Sequence, residues 1–267
     1  MGAWKRWRRA RTLRRHPLSA AEWQEALGDV PLTRTLAGAE LDRLRELATL
    51  FVRENDFAGV RGFVLTPRHA RAIAIQACLP VLELGLDAYG GSHSIVVYPG
   101  EFRTDRRWED EHGIVHVDRD PQSGEAWPEG PVVLSWADVA ESAEHPFDGY
   151  NVVIHEFAHK LDMRGGDANG TPPLHRDMDA GTWQRAFAGA YAHHCAQVDA
   201  AVETALDEYA AESPGEFFAV MSEYFFEAPD LLHREYPDVY GQLRLYYRQD
   251  PLRRLERVPP DELDASG

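Results

Sequence analysis

A chain of 267 residues, 44% of them apolar, can bury one substantial core, and one large domain is the expected organisation. The formal charge is −16, and because the first fifteen residues carry Lys5, Arg6, Arg8, Arg9, Arg11, Arg14 and Arg15 with no acid, the remainder stands at −23. A body that acidic excludes non-specific nucleic-acid binding, which needs a basic footprint for the phosphates.

Residues 1–20 read as a basic, flexible tail. An arm for anionic lipid or nucleic acid is the sharper reading, and Trp4 and Trp7 would suit an interface; the usual behaviour of chain ends favours a frayed, solvated terminus. The basic start is followed by Pro17 and Glu22 instead of an apolar signal core, and no apolar run is long enough to span a membrane, so a cytoplasmic address is expected.

Apolar positions recur at three and four from Leu41 to Val52 and again from Arg68 to Ala88, predicting two helices. Ser94–Tyr98 and Ile114–Val117 read as short strands. Gly130-Pro131-Val132-Val133-Leu134-Ser135-Trp136, set between turn formers, reads as a strand buried on both faces. Asp148 or Asn151 can cap a helix running to about Met163, where Gly165-Gly166 stops it. A long loop follows from Arg164 to Thr182, and helices dominate from there. The main domain is expected over residues 21–256, with a loose tail over 257–267. Cys78 and Cys195 have no CxxC spacing, which argues against a disulfide framework or a thiolate zinc site.

The chemistry sits in Val152-Val153-Ile154-His155-Glu156-Phe157-Ala158-His159-Lys160-Leu161-Asp162, which contains H-E-x-x-H. At about 100° per residue the two histidines fall roughly 40° apart and one turn from each other, so both imidazoles can reach one ion. Glu156 falls about 60° past His159, near enough to meet a water without displacing a ligand. Ile154, Phe157, Ala158 and Leu161 form the opposing, anchoring face. Zinc bound this way lowers the pKa of its water to about 7, so Glu156 can serve as general base at neutral pH. The bland alternative makes both histidines surface residues and Glu156 an ordinary helical charge; apolar neighbours weigh against it, because polar groups in such company need partners.

A tetrahedral site needs a third protein ligand. The stretch from Tyr209 to Phe226 is apolar nearly all round, hence buried, yet Glu216 and Glu223 share one face of it. Ser213-Pro214-Gly215-Glu216 also fits a capping box, and periodicity leaves both glutamates open as the ligand. Asp162 lands near His155 around the helix and is a candidate to orient an imidazole, or else a surface acid. His93, His112, His116, His175, His193, His194 and His233 show no ligand spacing.

The sequence resembles the Mlc titration factor A family of bacterial zinc metallopeptidases, themselves similar to the catalytic domain of anthrax lethal factor. The likeness covers nearly the whole chain and rests on four blocks in order: Cys78-Leu79-Pro80-Val81-Leu82-Glu83-Leu84-Gly85, Gly130–Trp136, His155–Asp162 and Glu216–Phe226. It implies one zinc ion held by His155, His159 and Glu216, with Tyr209 donating a hydrogen bond to the developing oxyanion and Glu223 behind the ligands. It further implies an aminopeptidase acting on peptides that also binds an Mlc-like transcriptional repressor of sugar uptake. The Arg-rich start departs from the family pattern, which leaves partner recognition open.

Together these readings give an α+β, mainly helical, zincin-like fold with a small sheet, in which Val132–Trp136 lies beside the cleft and pairs with extended substrate. Two other function classes stand beside the peptidase: a non-catalytic protein that sequesters a regulator through a structural or vestigial zinc site, and nucleic-acid binding through the first fifteen residues.

Overall fold

The computed structural model describes residues 2–100 and 130–258, together with the backbone of 102–103, 106–109, 115–118, 121–122 and 124–126. Its first element corrects the expectation of a loose tail. Residues Ala3–Arg15 form helix α1, which is held by its inward cations: Arg9 is buried and bonds Glu54, and Lys5 bonds Asp87. These partners lie 45 and 82 residues away, so a local reading of the terminus could not find them.

Capping chemistry then sets where most helices begin. Ser19 and Glu22 form a capping box at the start of α2 (Ala20–Gly28). After α3 (Ala39–Glu54) and strand β1 (Asp56–Gly59), Thr66 and His69 do the same for α4 (Pro67–Cys78), with Pro67 in the first turn. The expected helix from Arg68 to Ala88 stops at Cys78, because Pro80 has no N–H to continue the ladder; a 3-10 turn at Leu86–Tyr89 follows.

Strand β2 (Ser94–Tyr98) agrees with the sequence reading. Four short strands come next: β3 (Phe102–Arg103) pairs with β6 (Pro121–Gln122), and β4 (Arg106–Glu109) with β5 (Val115–Asp118). The strand expected at Ile114–Val117 is therefore shifted by one residue, with Ile114 itself outside the described residues, as are Pro259–Gly267. Strand β7 (Gly124–Ala126) runs antiparallel to β8 (Val132–Ser135).

The main sheet has the order β1-β2-β8-β7, with the first three strands parallel. All four residues of β8 are buried, as expected of a central parallel strand. That position corrects one expectation. Among the described residues β2 and β7 fill both sides of β8, so the edge strand beside the helix that carries His155 and His159 is β7. The strand also ends one residue early: Ser135 caps α5 (Trp136–Glu144) instead.

Asn151, one of the two expected caps, accepts a hydrogen bond from Ile154 N at 3.0 Å and starts α6 (Val152–Asp162). Phe157 anchors this helix. It is fully buried and packs edge-on against Phe51 and aslant Tyr89, with ring centroids 5.4 and 4.9 Å away; burying a Phe side chain is worth roughly 1.5–3 kcal/mol. The long loop after α6 leads to α7 (Ala180–Asp199), capped by Asp179. Gly170 pins that loop: its N donates to Asp162 at 2.7 Å, its carbonyl accepts from Trp183 Nε1 at 3.1 Å, and at φ +76° a Cβ would strike the Pro214 carbonyl. Only glycine meets both demands.

Ser213 caps α8 (Pro214–Glu227), which is buried from Phe217 to Glu227 and packs directly on α6. The chain finishes through α9 (Pro229–Glu235), α10 (Pro237–Tyr247) and α11 (Pro251–Leu255). The whole is α+β and mainly helical, with one continuous apolar core. Among the described residues no helix is long and apolar enough to cross a membrane. Cys78 is a buried and Cys195 a half-buried free thiol.

Candidate metal centre

Helix α6 delivers its two histidines to the face that meets α8. His155 Nε2 and His159 Nε2 stand 3.1 Å apart, and Glu216 Oε2, from the first turn of α8, lies 3.0 Å from the former and 3.1 Å from the latter. The three ligand atoms thus form a nearly regular triangle. Tetrahedral zinc with bonds of about 2.0–2.1 Å spaces its ligands roughly 3.3–3.4 Å apart. The triangle need open by only a few tenths of an ångström, so the residues present fit the ion, and this trio is a group able to hold a metal. Ser213 Oγ accepts from Glu216 N at 3.1 Å, which is half of the expected capping box. The Glu216 carboxylate turns to the histidines.

Glu223 sits two turns further along α8, 3% exposed. One oxygen meets His155 Nδ1 at 2.8 Å and the other accepts from Asn151 N at 2.6 Å. This fixes Nδ1 as the protonated nitrogen and leaves Nε2 facing the triangle, the arrangement that orients a metal-binding imidazole. Burial opposes a charge on His155, but the Glu223 carboxylate and hydrogen bonds from Glu216 and Glu223 hold its proton well above the ordinary range. Burial likewise opposes ionisation of Glu216, and the two histidines overcome it, keeping this carboxyl well below the usual carboxylate range. A site that keeps one acid ionised beside two imidazoles presents the charge a divalent cation neutralises.

Asp162, expected as a candidate to orient an imidazole, has its hydrogen bond elsewhere. It is buried, and its Oδ2 accepts from Gly170 N, so it ties the following loop to α6. Its Oδ1 and His159 Nδ1 are both buried without a hydrogen-bond partner among the described residues. The second imidazole therefore has no counterpart of Glu223 there.

Glu156 is 3% exposed, on the side of α6 that faces β7. The backbone of Gly124 lies against it: a Cβ there would meet Glu156 Oε1, Cδ and Cγ. Lys160, one turn on and also 3% exposed, donates to the Gly130 carbonyl at 2.9 Å, and its charge interacts with that of Glu156. Tyr209 lies on the 3-10 turn Glu208–Ala211, 44% exposed, with its ring centroid 6.0 Å from that of His155.

Glu227 escapes a reading of the sequence, as do the two further bonds of Asn151, which was expected only as a cap. Asn151 caps α6 with its side chain, donates its N–H to Glu223 and gives its Nδ2 to Glu227 at 2.8 Å; Glu227 also accepts from Phe147 N at 3.0 Å. The spacing of four between Glu223 and Glu227 is the only signal that could have pointed to the latter. Burial, with the nearby Asp148 and Glu223 charges, pushes Glu227 up to about 8 against the pull of those two hydrogen bonds. Because this folded value lies above the ordinary 4.5, the stabilisation is full below about pH 4.5 and disappears as pH rises through about 8. Between about pH 5 and 8.5 the protein should lose on the order of 4 kcal/mol relative to Glu227→Gln. Urea midpoints of both proteins at the two pH values measure it; parallel pH profiles would contradict the assignment.

The other described histidines stay apart from the cluster. His175 bonds the Tyr246 carbonyl at 2.8 Å and His194 that of Asp207 at 3.1 Å, while burial and the Lys160 charge push His93 down to about 4. His112 lies outside the described residues, and only the backbone of His116 is described.

A profile for the glucose-regulated metallo-peptidase M90 family matches residues 4–248. Proteins named Mlc titration factor A, from Yersinia pestis (strain Pestoides F) and Yersinia pseudotuberculosis (serotype O:1b, strain IP 31758), are each 42% identical over 240 residues, covering 89% of this chain and 87% of theirs.

Proposed function

The chain belongs to the glucose-regulated metallo-peptidase M90 family, and from that premise we propose that it is a zinc-dependent peptidase, with a zincin-like active site that removes residues from the amino end of peptides. The observation that carries this reading is the triangle of His155 Nε2, His159 Nε2 and Glu216 Oε2, each pair within 3.1 Å. A bound zinc ion would supply Lewis acidity toward a carbonyl oxygen and acidify water.

The remaining work belongs to the chain. Glu156 takes a proton from the attacking water and delivers it to the leaving amine. Tyr209 donates a hydrogen bond to the oxyanion, which exists only in the transition state. Glu223 holds the His155 ring in its tautomer, and Asn151 holds Glu223. The outer edge of β7 offers backbone groups to an extended peptide, one residue from the base.

Metal removal tests the proposal. One zinc per chain and hydrolysis of an aminoacyl anilide are expected, with activity abolished by a chelator and restored by added zinc. Hydrolysis indifferent to chelation would refute it.

The β7 contact gives a finer expectation. Gly124→Ala forces the Glu156 carboxylate aside, since the added carbon needs its space, and a displaced base costs roughly 10–100-fold in kcat. Zinc content and melting temperature should stay as in the parent, and an unchanged kcat would show that Glu156 is not held there.

A second role accompanies the first. The relatives are named for titrating Mlc, and we carry over binding of an Mlc-like repressor as a separate activity. Capture of such a repressor by the Glu156→Gln protein would separate sequestration from turnover. If repressor binding persists while no metal-dependent hydrolysis is found, the non-catalytic reading replaces the enzyme.

A further inference from the structure

Helix α1 has two unlike faces. At about 100° per residue, Lys5, Arg9 and Leu13 share one arc, and Trp4, Trp7, Arg8, Arg11, Arg14 and Arg15 share the opposite one. The first arc is anchored to the body: Lys5 Nζ reaches Asp87 at 2.5 Å, Arg9 reaches Glu54 at 2.6 Å and Asp87 at 3.1 Å, and Leu13 packs on the core. The second arc is presented outward. Trp4 is 68% and Trp7 55% exposed, while the four other exposed large apolar residues among the described ones, Val64, Val202, Tyr209 and Leu245, sit at separate places in the chain. The Arg8 and Arg11 guanidinium groups lie 5.3 and 5.6 Å from the Trp4 and Trp7 rings.

We propose that this outer face of α1 docks the protein on an anionic phospholipid surface. Indoles settle at the boundary between headgroups and acyl chains, and guanidinium groups pair with lipid phosphates. Charge complementarity favours this partner and fixes its orientation: seven cations lie in the first fifteen residues and a net −23 in the rest. An anionic surface therefore attracts α1 and repels the body behind it, which screening over about 8 Å at physiological salt makes tolerable. The outer face of a helix is convex, which suits a plane. Single-stranded nucleic acid instead needs a groove or sheet platform on which bases stack. The inward ion pairs free the outward arginines from competing for Glu54 and Asp87, apart from Arg8, which lies 4.0 Å from Glu54. This docking is independent of the peptidase reading.

Flotation of the full chain with vesicles tests it, using phosphatidylcholine alone and an equal mixture with phosphatidylglycerol. Partition into the mixed vesicles should exceed that into phosphatidylcholine by at least about tenfold, and should fall as salt rises. Trp4→Ala/Trp7→Ala and, separately, Arg11→Gln/Arg14→Gln should each remove about tenfold or more of that partition, with melting temperature and zinc content unchanged. The arginine pair keeps the test decisive if the tryptophan pair disturbs folding. Equal partition into both vesicle types, or parent-level partition of the arginine variant, would overturn the proposal. So would binding of oligonucleotides in the absence of vesicle binding, which would assign the face to nucleic acid.

Discussion

Glu156→Gln should lower kcat by roughly 10²–10⁴-fold, the usual contribution of a positioned general base, while zinc content stays at the parent value. The amide has the carboxylate's shape, so the side chain still fits the space beside Gly124, but it cannot accept the proton. The melting temperature should fall somewhat, because the charge of buried Lys160 loses that of Glu156. A peptide anilide assay run beside metal analysis reads both quantities. Turnover within tenfold of the parent would remove Glu156 from the chemistry, and loss of zinc together with turnover would show that it holds the site instead of working in it.

The second large effect concerns the two glutamates on α8. Structural zinc binds with about 10–16 kcal/mol in all, so one ligand of four is worth roughly 3–4 kcal/mol; Glu216→Ala should therefore weaken zinc by about 10²–10³-fold or more. Glu223→Gln, which keeps the ligand set but weakens the hold on His155 Nδ1 and on Asn151 N, should cost about 10–100-fold. Competition with a chromophoric chelator measures both constants. The reverse order would mean that Glu223, and not Glu216, completes the ligand set. The Glu216 variant should also lower the stability of the metal-free protein, since two closely spaced imidazoles lose the carboxylate they share.

Much of the local structure was legible because its causes are local. The caps at Ser213 and Asn151, the stop after Met163, the buried strand and the one-turn spacing of His155 and His159 all follow from backbone chemistry over a few residues. The errors share a different cause. Apolar periodicity continues from Arg68 to Ala88, but Pro80 lacks the N–H that the helix would need and the helix ends at Cys78. The Arg-rich start has the composition of a tail, and Glu54 and Asp87, which bind its inner face, are remote in sequence. Val132–Trp136 reads as a buried strand that pairs with extended substrate, but β2 and β7 occupy both its sides; strand order cannot be read from a strand's own composition, and β7 is too short to announce itself.

By itself the sequence determined which residues could form a chelate and which helix would carry it, because a 3.6-residue period fixes angles within one segment; it did not foresee that this helix is buried on its polar side as well, Glu156, His159, Lys160 and Asp162 included. Periodicity left Glu216 and Glu223 equivalent, since seven residues bring both to the same side of α8, and the family resemblance alone pointed to Glu216. The physical reason lies in the packing of α8 on α6, which sets Glu216 against the two Nε2 atoms and Glu223 against Nδ1. The same packing recruited Asn151 and Glu227 and laid Gly124 on Glu156. Distances between segments depend on how the core closes, and no local rule contains them.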